Sequence, residues 1–269
     1  MTAQPTPGQP AAAPMLGETR EGHVVTLTFS RPPNNHINRA LVIGLAEALE
    51  RLDGDAGCRA VVLAGAGRHF CAGADFSQGD SGGLDMPDDL PGGTLYRMAG
   101  RLVRTRKPIV AAVQGAAIGA GLGLALLADF RVGCAEARFS ANFTRLGFHP
   151  GFGLSTTLPR LIGAQKAALL FYTGRRIDGA TALEIGLLDE LVPQAEVLAA
   201  AQALAAEIAT SAPFAVQGLR ATLRRGLAEA FDAATEREFE QQSWQRRMAD
   251  FAEGRRAMAE RRPPVFEGR

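Results

Sequence analysis

Apolar and polar positions along the first half of the chain indicate short strands and helices that follow one another. Residues 23–29 alternate with a period of two, which is typical of a strand. The runs at 60–64 and 109–113 are apolar throughout and predict short buried strands. Leucines and alanines at helical spacing predict a helix over 37–52, and a second helix is predicted from about 120 to 127. Strands alternating with helices predict an α/β fold.

In the second half of the chain, from about residue 196 onward, the spacing of the apolar positions becomes continuously helical. We therefore expect three regions: a disordered N-terminal lead at 1–16, an α/β core at 17–200 and a helical region at 201–269. The lead is expected to be disordered because it is rich in proline. A helical tail of this kind cannot bury all its faces alone, so it is expected to pack on the core or on another subunit.

Composition and charge narrow the possible partners. Hydrophobic residues make up 46% of the 269 residues, which is enough for a sizeable core. The formal net charge of +1 provides no strong field to recruit nucleic acid. The cysteines Cys58, Cys71 and Cys134 lack metal-type spacing and cannot all pair, which favours a reduced, cytoplasmic chain with no metal site. The first residues also lack the basic and apolar regions of a signal peptide.

A glycine-rich segment at 109–128 carries no charge and has three interpretations. Its length and its Gly115, Gly119 and Gly123 spacing suit a membrane-spanning helix, but Gln114 interrupts it. A dinucleotide-binding turn would need a third glycine at position 124, which is leucine. The third interpretation is a strand, a tight glycine turn and a helix whose first N–H groups point at a ligand oxygen.

Four motifs in register resemble those of a known family. They are FCAGAD at 70–75, KPIVAAVQGAAIGAGLGLALLADFRV at 107–132, LGFHPGFGLSTTLPRLIG at 146–163 and YTGRRIDGATALEIGLLDELVP at 172–193. In order and spacing they resemble the crotonase (enoyl-CoA hydratase/isomerase) superfamily over about residues 22–215, with a looser match in RPPNNHIN at 31–38.

The resemblance implies a crotonase-type spiral of repeated ββα units with a C-terminal helical region that mediates trimerisation. It implies a homotrimer or a dimer of trimers, with an acyl-CoA thioester as the substrate. Coenzyme A enters as part of that substrate, so no separate cofactor is expected, and neither nucleic acid nor a membrane is expected as a partner.

The resemblance also implies the site residues. The oxyanion hole of the family is built from two backbone N–H groups, which by motif position are those of Ala74 and Ala120. The other positions expected to contact the acyl-CoA are His36, Ile37, Ala72, Gly73, Asp75, Gly119, Gly123, Phe143 and Leu146.

The chain departs from the family where hydratases carry their two glutamates. The corresponding positions are Gly123 and Phe143, and neither side chain can act as an acid or a base on water. Some relatives place an aspartate on the loop at 147–151 instead, but that position is Gly151 here. The titratable side chain on this loop is His149, which we take as the candidate general acid or base.

Two hypotheses about function follow, and a third belongs to another class. The chain is either an acyl-CoA enzyme whose chemistry is isomerisation, hydrolysis or decarboxylation, or an acyl-CoA binding homologue without activity. The third hypothesis, a small membrane protein, depends on the apolar segment at 109–128 alone.

Overall fold

The structure is a computed structural model and describes residues 15–74 and 95–269. The strands are β1 (Leu16–Glu21), β2 (Val24–Phe29), β3 (Ala60–Gly65), β4 (Ile109–Val113), β5 (Ala116–Ile118), β6 (Phe130–Gly133), β7 (Arg138–Ser140), β8 (Ile177–Asp178) and β9 (Glu190–Leu191). The helices are α1 (Arg39–Asp53), α2 (Leu95–Val103), α3 (Ala120–Leu126), α4 (Leu154–Ile162), α5 (Ala164–Thr173), α6 (Gly179–Glu184), α7 (Val197–Thr210), α8 (Pro213–Leu223), α9 (Leu227–Gln245) and α10 (Ala249–Glu260). Two short 3-10 helices cover Asn142–Leu146 and Gln194–Glu196.

A six-stranded sheet in the order β1-β2-β3-β4-β6-β9 forms the first layer of the described fold. Its strands are parallel except at the edge, where the polar strand β1 runs antiparallel to β2. All residues of β3 and β4 are buried, because parallel strands are covered on both faces. The strands predicted at 23–29, 60–64 and 109–113 are therefore confirmed, and so is the α/β class.

A second sheet of three strands, β5-β7-β8, lies beside the first and was not predicted. Its strands have two or three residues each, too few to show a period in the sequence. The segment before residue 75 extends this sheet, because Cys71 forms a parallel bridge with Ala117. The second sheet matters for function because β5 leads directly into α3.

The glycine-rich segment is divided among β4, β5 and the seven-residue α3, so it is not a continuous membrane-spanning helix. Among the described residues, no single helix is long and apolar enough to cross a membrane. The pair Gln194–Thr210 and Pro213–Leu223, bent by 107°, passes that test by length and composition only.

Helix α1 begins where the sequence supplies a cap. The Asn38 side chain accepts a hydrogen bond from the Leu41 backbone N–H at 2.9 Å, which is the role of an N-cap residue. The predicted helix at 37–52 is thus confirmed with its start two residues later. Ile37 stays outside the helix and forms a bridge with Ala74 instead.

The C-terminal helices fold back on the core of their own chain. Helix α7 contains the predicted boundary at residue 200 and packs on β2, β3, β4 and β6. Helix α9 packs on α2 and α4, and α10 packs on the 3-10 helix Asn142–Leu146. Of the predicted N-terminal lead, residues 1–14 lie outside the described residues and Leu16 already belongs to β1.

Candidate functional site

A cavity of about 590 Å³ brings together most of the residues predicted to form the site. The predicted residues that line it are His36, Ala72, Gly73, Ala74, Gly119, Ala120, Phe143 and Leu146. They come from separate parts of the chain: the turn before α1, the segment before residue 75, the start of α3 and the 3-10 helix Asn142–Leu146.

The Ala74 backbone N–H lies on the cavity side of its segment. Ile37 bridges this segment through its own N–H, which donates to the Gly73 carbonyl at 2.9 Å. In a parallel bridge the bonds involve the residues on either side of Ala74, so the N–H of Ala74 points away from Ile37. No group among residues 15–74 and 95–269 accepts a hydrogen bond from the Ala74 N–H.

The Ala120 backbone N–H is the first of helix α3 and therefore has no acceptor within the helix. The preceding residue, Gly119, has φ 55° and turns the chain from β5 into the helix. Its own N–H is used, because it donates to the Ser140 carbonyl at 2.8 Å. The N–H of Ala120 has no such partner in the described part of the chain.

Close packing holds the two amide segments against each other. A Cβ on Gly73 would lie 2.7 Å from the Ile118 carbonyl oxygen, and Gly73 has φ +89°. A Cβ on Gly121 would lie 2.1 Å from the Cys71 carbonyl oxygen. Both contacts exclude a side chain, so glycine is required for Ala74 and Ala120 to line one cavity.

Two backbone donors beside one apolar cavity are suited to an oxygen that gains negative charge. Each donor of this type typically contributes about 3 kcal/mol to the stabilisation of an oxyanion. The N terminus of α3 adds the positive end of its short dipole. Since both donors are main-chain groups, the alanine side chains do not affect the supply of N–H groups.

Gly123 lies behind the cavity wall rather than in it. A Cβ at Gly123 would lie 2.8 Å from Cδ1 of Phe152, a fully buried residue with φ 62°. The Phe152 ring therefore fills the space that a side chain at 123 would need. The expectation that Gly123 contacts the ligand is corrected by this packing.

His149 does not lie with the two amides, which corrects its expected place in the site. It lines a second cavity of about 400 Å³, together with Trp244 and Tyr172. Its backbone N–H donates to Gln245 at 2.6 Å, and its Nδ1 lies 2.8 Å from the Pro150 carbonyl. Its neighbour Phe148 lines both cavities and separates them.

One further predicted position does not line the cavity, and another cannot be placed relative to it because it falls outside residues 15–74 and 95–269. Ile37 is buried, with 1% of its surface exposed, and supports Ala74 from behind. Asp75 lies outside the described residues, as does the polar, acidic segment that follows it.

Aromatic side chains form much of the cavity wall. Phe143 packs edge-on against Phe148 with ring centroids 5.4 Å apart, and Phe148 packs in the same way against Phe251 of α10 at 5.2 Å. Such contacts stabilise the arrangement of the rings beyond simple burial. Phe143 is therefore a wall residue.

Several lining residues were not identified from the sequence. Helix α10 contributes Ala252, Arg255, Arg256, Met258 and Ala259, and other elements contribute Tyr96, Ile118 and Asn142. The residues of α10 lie on an ordinary amphipathic helix far along the chain, so no local pattern marks them. Tyr96 follows the undescribed segment and donates from its hydroxyl to Gln242 at 2.7 Å.

Helix α9 holds the loop that carries Phe148 and Phe152. The fully buried Glu238 carboxylate accepts hydrogen bonds from the Gly153 N–H at 2.8 Å, the Ser155 N–H at 2.9 Å and the Ser155 hydroxyl at 2.6 Å. Burial raises the pKa of Glu238 to about 7, against the opposing effect of these hydrogen bonds.

Helix α10 reaches the cavity through a glycine contact that gives a testable prediction. A Cβ on Gly254 would lie 2.6–2.7 Å from backbone atoms of Leu146, so Gly254→Val should push α10 away from the 3-10 helix. We expect a loss of about 1–3 kcal/mol in the free energy of unfolding, measured by urea titration.

The matched control is Gly44→Ala in α1, where an added Cβ would meet nothing within 4 Å. This substitution should raise the free energy of unfolding by about 0.5–1 kcal/mol. Equal effects of the two substitutions would show that α10 does not dock closely on Leu146.

Comparison with known proteins shows the family of the chain. The sequence model of the family described as enoyl-CoA hydratase/isomerase matches residues 19–269. A probable enoyl-CoA hydratase of Bacillus subtilis is 32% identical over 246 residues, covering 91% of this chain and 95% of the relative. The 1,2-epoxyphenylacetyl-CoA isomerase of Escherichia coli is 32% identical over 260 residues, covering 95% and 98%.

A solved structure has the same fold. The crystal structure of an enoyl-CoA hydratase/isomerase from Pseudoalteromonas atlantica superposes with a TM-score of 0.85 at 31% identity, and the match covers 94% of this chain and all of that one. The crotonase fold is therefore confirmed, and the chain belongs to the enoyl-CoA hydratase/isomerase family.

Proposed function

We propose that this protein binds an acyl-CoA thioester with its carbonyl oxygen between the N–H groups of Ala74 and Ala120, and that it catalyses a reaction other than the hydration of an enoyl thioester. The observation that supports this is the cavity itself. Two main-chain donors line it, while its described lining residues include no aspartate or glutamate.

The cavity suits the acyl part of a thioester. Its walls are mainly apolar, with Ile118, Leu146, Met258 and the rings of Phe143 and Phe148. Family members act on acyl-CoA thioesters, whose enolates and tetrahedral adducts carry negative charge on the carbonyl oxygen. The two amides stabilise that charge more strongly than the neutral carbonyl, which is the requirement for catalysis.

An arginine-lined pocket beside the site cavity, distinct from the cavity that holds His149, suits the phosphates of coenzyme A. It has a volume of about 500 Å³ and shares Ile118, Asn142, Leu146 and Met258 with the cavity. The arginines that line it are Arg145, Arg175, Arg176, Arg261 and Arg262. Guanidinium groups bind phosphate oxygens well, so we place the nucleotide end of coenzyme A here.

Hydration is disfavoured because water must be deprotonated and its proton delivered by positioned groups. The two glutamate positions of the family are occupied by Gly123 and Phe143, and Phe152 and Phe143 fill the corresponding space. Each missing acid or base is typically worth about 10²–10⁴-fold in rate. The remaining reactions are isomerisation, hydrolysis and decarboxylation. In these reactions water or the substrate itself moves the proton, because His149 lies in a separate cavity with Trp244 and Tyr172.

A non-catalytic acyl-CoA binding protein is the second candidate. The absence of carboxylates among the described lining residues favours it, because such a site keeps the binding geometry and lacks the carboxylates that transfer protons in a hydratase.

We further propose a homotrimer or a dimer of trimers located in the cytoplasm. Large apolar side chains are exposed on α5 and α8, namely Leu169, Tyr172, Phe214, Leu219 and Leu223. Tyr172 and Phe214 are 80% and 85% exposed, which is unusual for a surface that stays uncovered. The three cysteines are free thiols, consistent with a reducing compartment.

Incubation with crotonyl-CoA and with a panel of branched and aromatic acyl-CoAs, followed by mass spectrometry of the products, tests the proposal. We expect little or no hydration of crotonyl-CoA and conversion of at least one other thioester. Rapid hydration that persists in His149→Ala would overturn the assignment. Binding of thioesters without any conversion would favour the second candidate.

A further inference from the structure

We propose that Asn142 is a specificity-determining residue that hydrogen-bonds an oxygen on the acyl group, so that the site prefers acyl-CoAs carrying a hydroxyl or keto oxygen near the thioester. The inference rests on the proposed function, because it assumes that the thioester carbonyl lies between Ala74 and Ala120. It adds a class of substrate to that function.

Asn142 lies close to the position of the reacting carbonyl. It is the first residue of the 3-10 helix that follows β7, and it lines the cavity. Its Oδ1 lies 3.5 Å from the position that a Cβ on Gly119 would occupy. Gly119 is bonded to Ala120, so the Asn142 carboxamide lies beside one of the two donor amides.

The glycine at 119 keeps this approach open. After Asn142, the nearest atoms to the absent Cβ are ring atoms of Phe143, at 3.7 and 3.8 Å. Without a side chain at this position, acyl atoms one or two bonds beyond the carbonyl can reach the Asn142 carboxamide.

The Asn142 carboxamide is also available for a hydrogen bond to a ligand. It has no hydrogen-bond partner among residues 15–74 and 95–269, although the residue is half-buried in a largely apolar wall. Other polar side chains of the wall are engaged: His36 Nδ1 lies 3.2 Å from the Gly73 carbonyl, and the Tyr96 hydroxyl donates to Gln242. A half-buried amide that offers both a donor and an acceptor is best satisfied by a ligand oxygen.

The contact beside Gly119 favours the acyl group over the pantetheine arm. Asn142 also lines the arginine pocket that we assign to coenzyme A, but its Oδ1 is the atom nearest to the absent Cβ of Gly119, which directly precedes the Ala120 donor. An acyl oxygen one or two bonds from a carbonyl held by Ala120 therefore lies within reach of the Asn142 carboxamide, and titration with coenzyme A tests the alternative contact with the arm.

Calorimetric titration with butyryl-CoA, 3-hydroxybutyryl-CoA, acetoacetyl-CoA and coenzyme A tests the inference. For the unaltered protein we expect the two oxygenated esters to bind about tenfold more tightly than butyryl-CoA. Asn142→Leu, which keeps the size and removes the polar atoms, should abolish this difference by weakening the binding of the two oxygenated esters. Asn142→Ala serves as a second variant if the leucine impairs folding.

The other outcomes are distinct. Equal binding of all three esters by the unaltered protein would overturn the inference and leave the proposed function standing. A parallel loss of affinity for coenzyme A itself in Asn142→Leu would place the contact on the pantetheine arm and overturn it as well. Failure of every thioester to bind would instead refute the proposed function.

Discussion

Replacing Ala120 by proline is expected to lower the turnover of an acyl-CoA substrate by about 10²–10³-fold without unfolding the protein. Proline has no N–H, so one of the two donors to the thioester oxygen is removed. Ala120 is the first residue of α3, a position where proline is well tolerated because its N–H has no helical acceptor. The measurement is kcat/KM for a thioester that the protein converts.

Ala120→Gly is the matched control, because it retains the N–H and removes only the methyl group. It should keep turnover within about threefold of the unaltered protein, since a single glycine at a helix start has a small effect. Melting curves of both variants report whether α3 and the core remain folded. Similar turnover of the proline and glycine variants would show that the Ala120 N–H does not contact the reacting oxygen.

If the protein binds thioesters without converting them, the same pair of variants is still informative. A hydrogen bond to the ground-state carbonyl is worth only about 0.5–1.5 kcal/mol, so Ala120→Pro should weaken binding by about tenfold or less. Affinity measured by calorimetry then replaces kcat/KM as the readout, with Ala120→Gly again as the control.

The second large effect is expected at Glu238. Removal of its carboxylate by Glu238→Ala leaves the Gly153 N–H and the Ser155 N–H without their acceptor in a buried position. The free energy of unfolding should fall by about 2–4 kcal/mol, measured by urea titration at neutral pH.

Glu238 should also make stability depend on pH. Its pKa is about 7 in the folded chain and 4.5 in the reference state, so the folded state retains the proton more strongly. As pH rises from 4.5 to 7, the unfolded chain loses this proton first and becomes relatively more stable. The contribution of Glu238 is therefore fully present below pH 4.5 and is lost as pH rises through about 7, with a total on the order of 3 kcal/mol.

Glu238→Gln isolates this contribution from all other titrating groups, because glutamine has a similar shape and does not titrate. As pH rises from 4.5 to 7, the unaltered protein should lose unfolding free energy relative to the glutamine variant. Parallel pH profiles of the two proteins would mean that the Glu238 carboxyl titrates at its ordinary pKa.

The position of His149 shows why the sequence was a poor guide on the loop at 147–153. Phe148 and His149 are consecutive, and the structure places the first in the wall of the site cavity and the second in the other cavity. Gly147, with φ +80°, redirects the chain just before them, and Gln245 and Gln242 of α9 bind the His149 backbone. Partners nearly a hundred residues away thus decide which way each side chain points.

The residues of α10 were missed for a related reason. Their spacing indicates a helix and does not indicate which surface that helix covers. Gly254 allows α10 to contact the Leu146 backbone, and this contact brings Met258 and Arg255 to the cavity. The helical region was expected to pack on the core or on another subunit, and the sequence contained no means of choosing between them.

The resemblance to the family marked the two segments that carry the Ala74 and Ala120 amides, and the sequence by itself determined the α/β class, the main strands β2, β3 and β4, and the helices α1 and α3. Those features are local: they depend on hydrophobic period, on an asparagine cap and on glycines at tight turns. Only the tertiary structure decided that Phe152 fills the space beside Gly123, that His149 faces away, and that Asn142 and α10 complete the cavity. These features depend on contacts between residues distant in the chain, which close packing selects and no local pattern records.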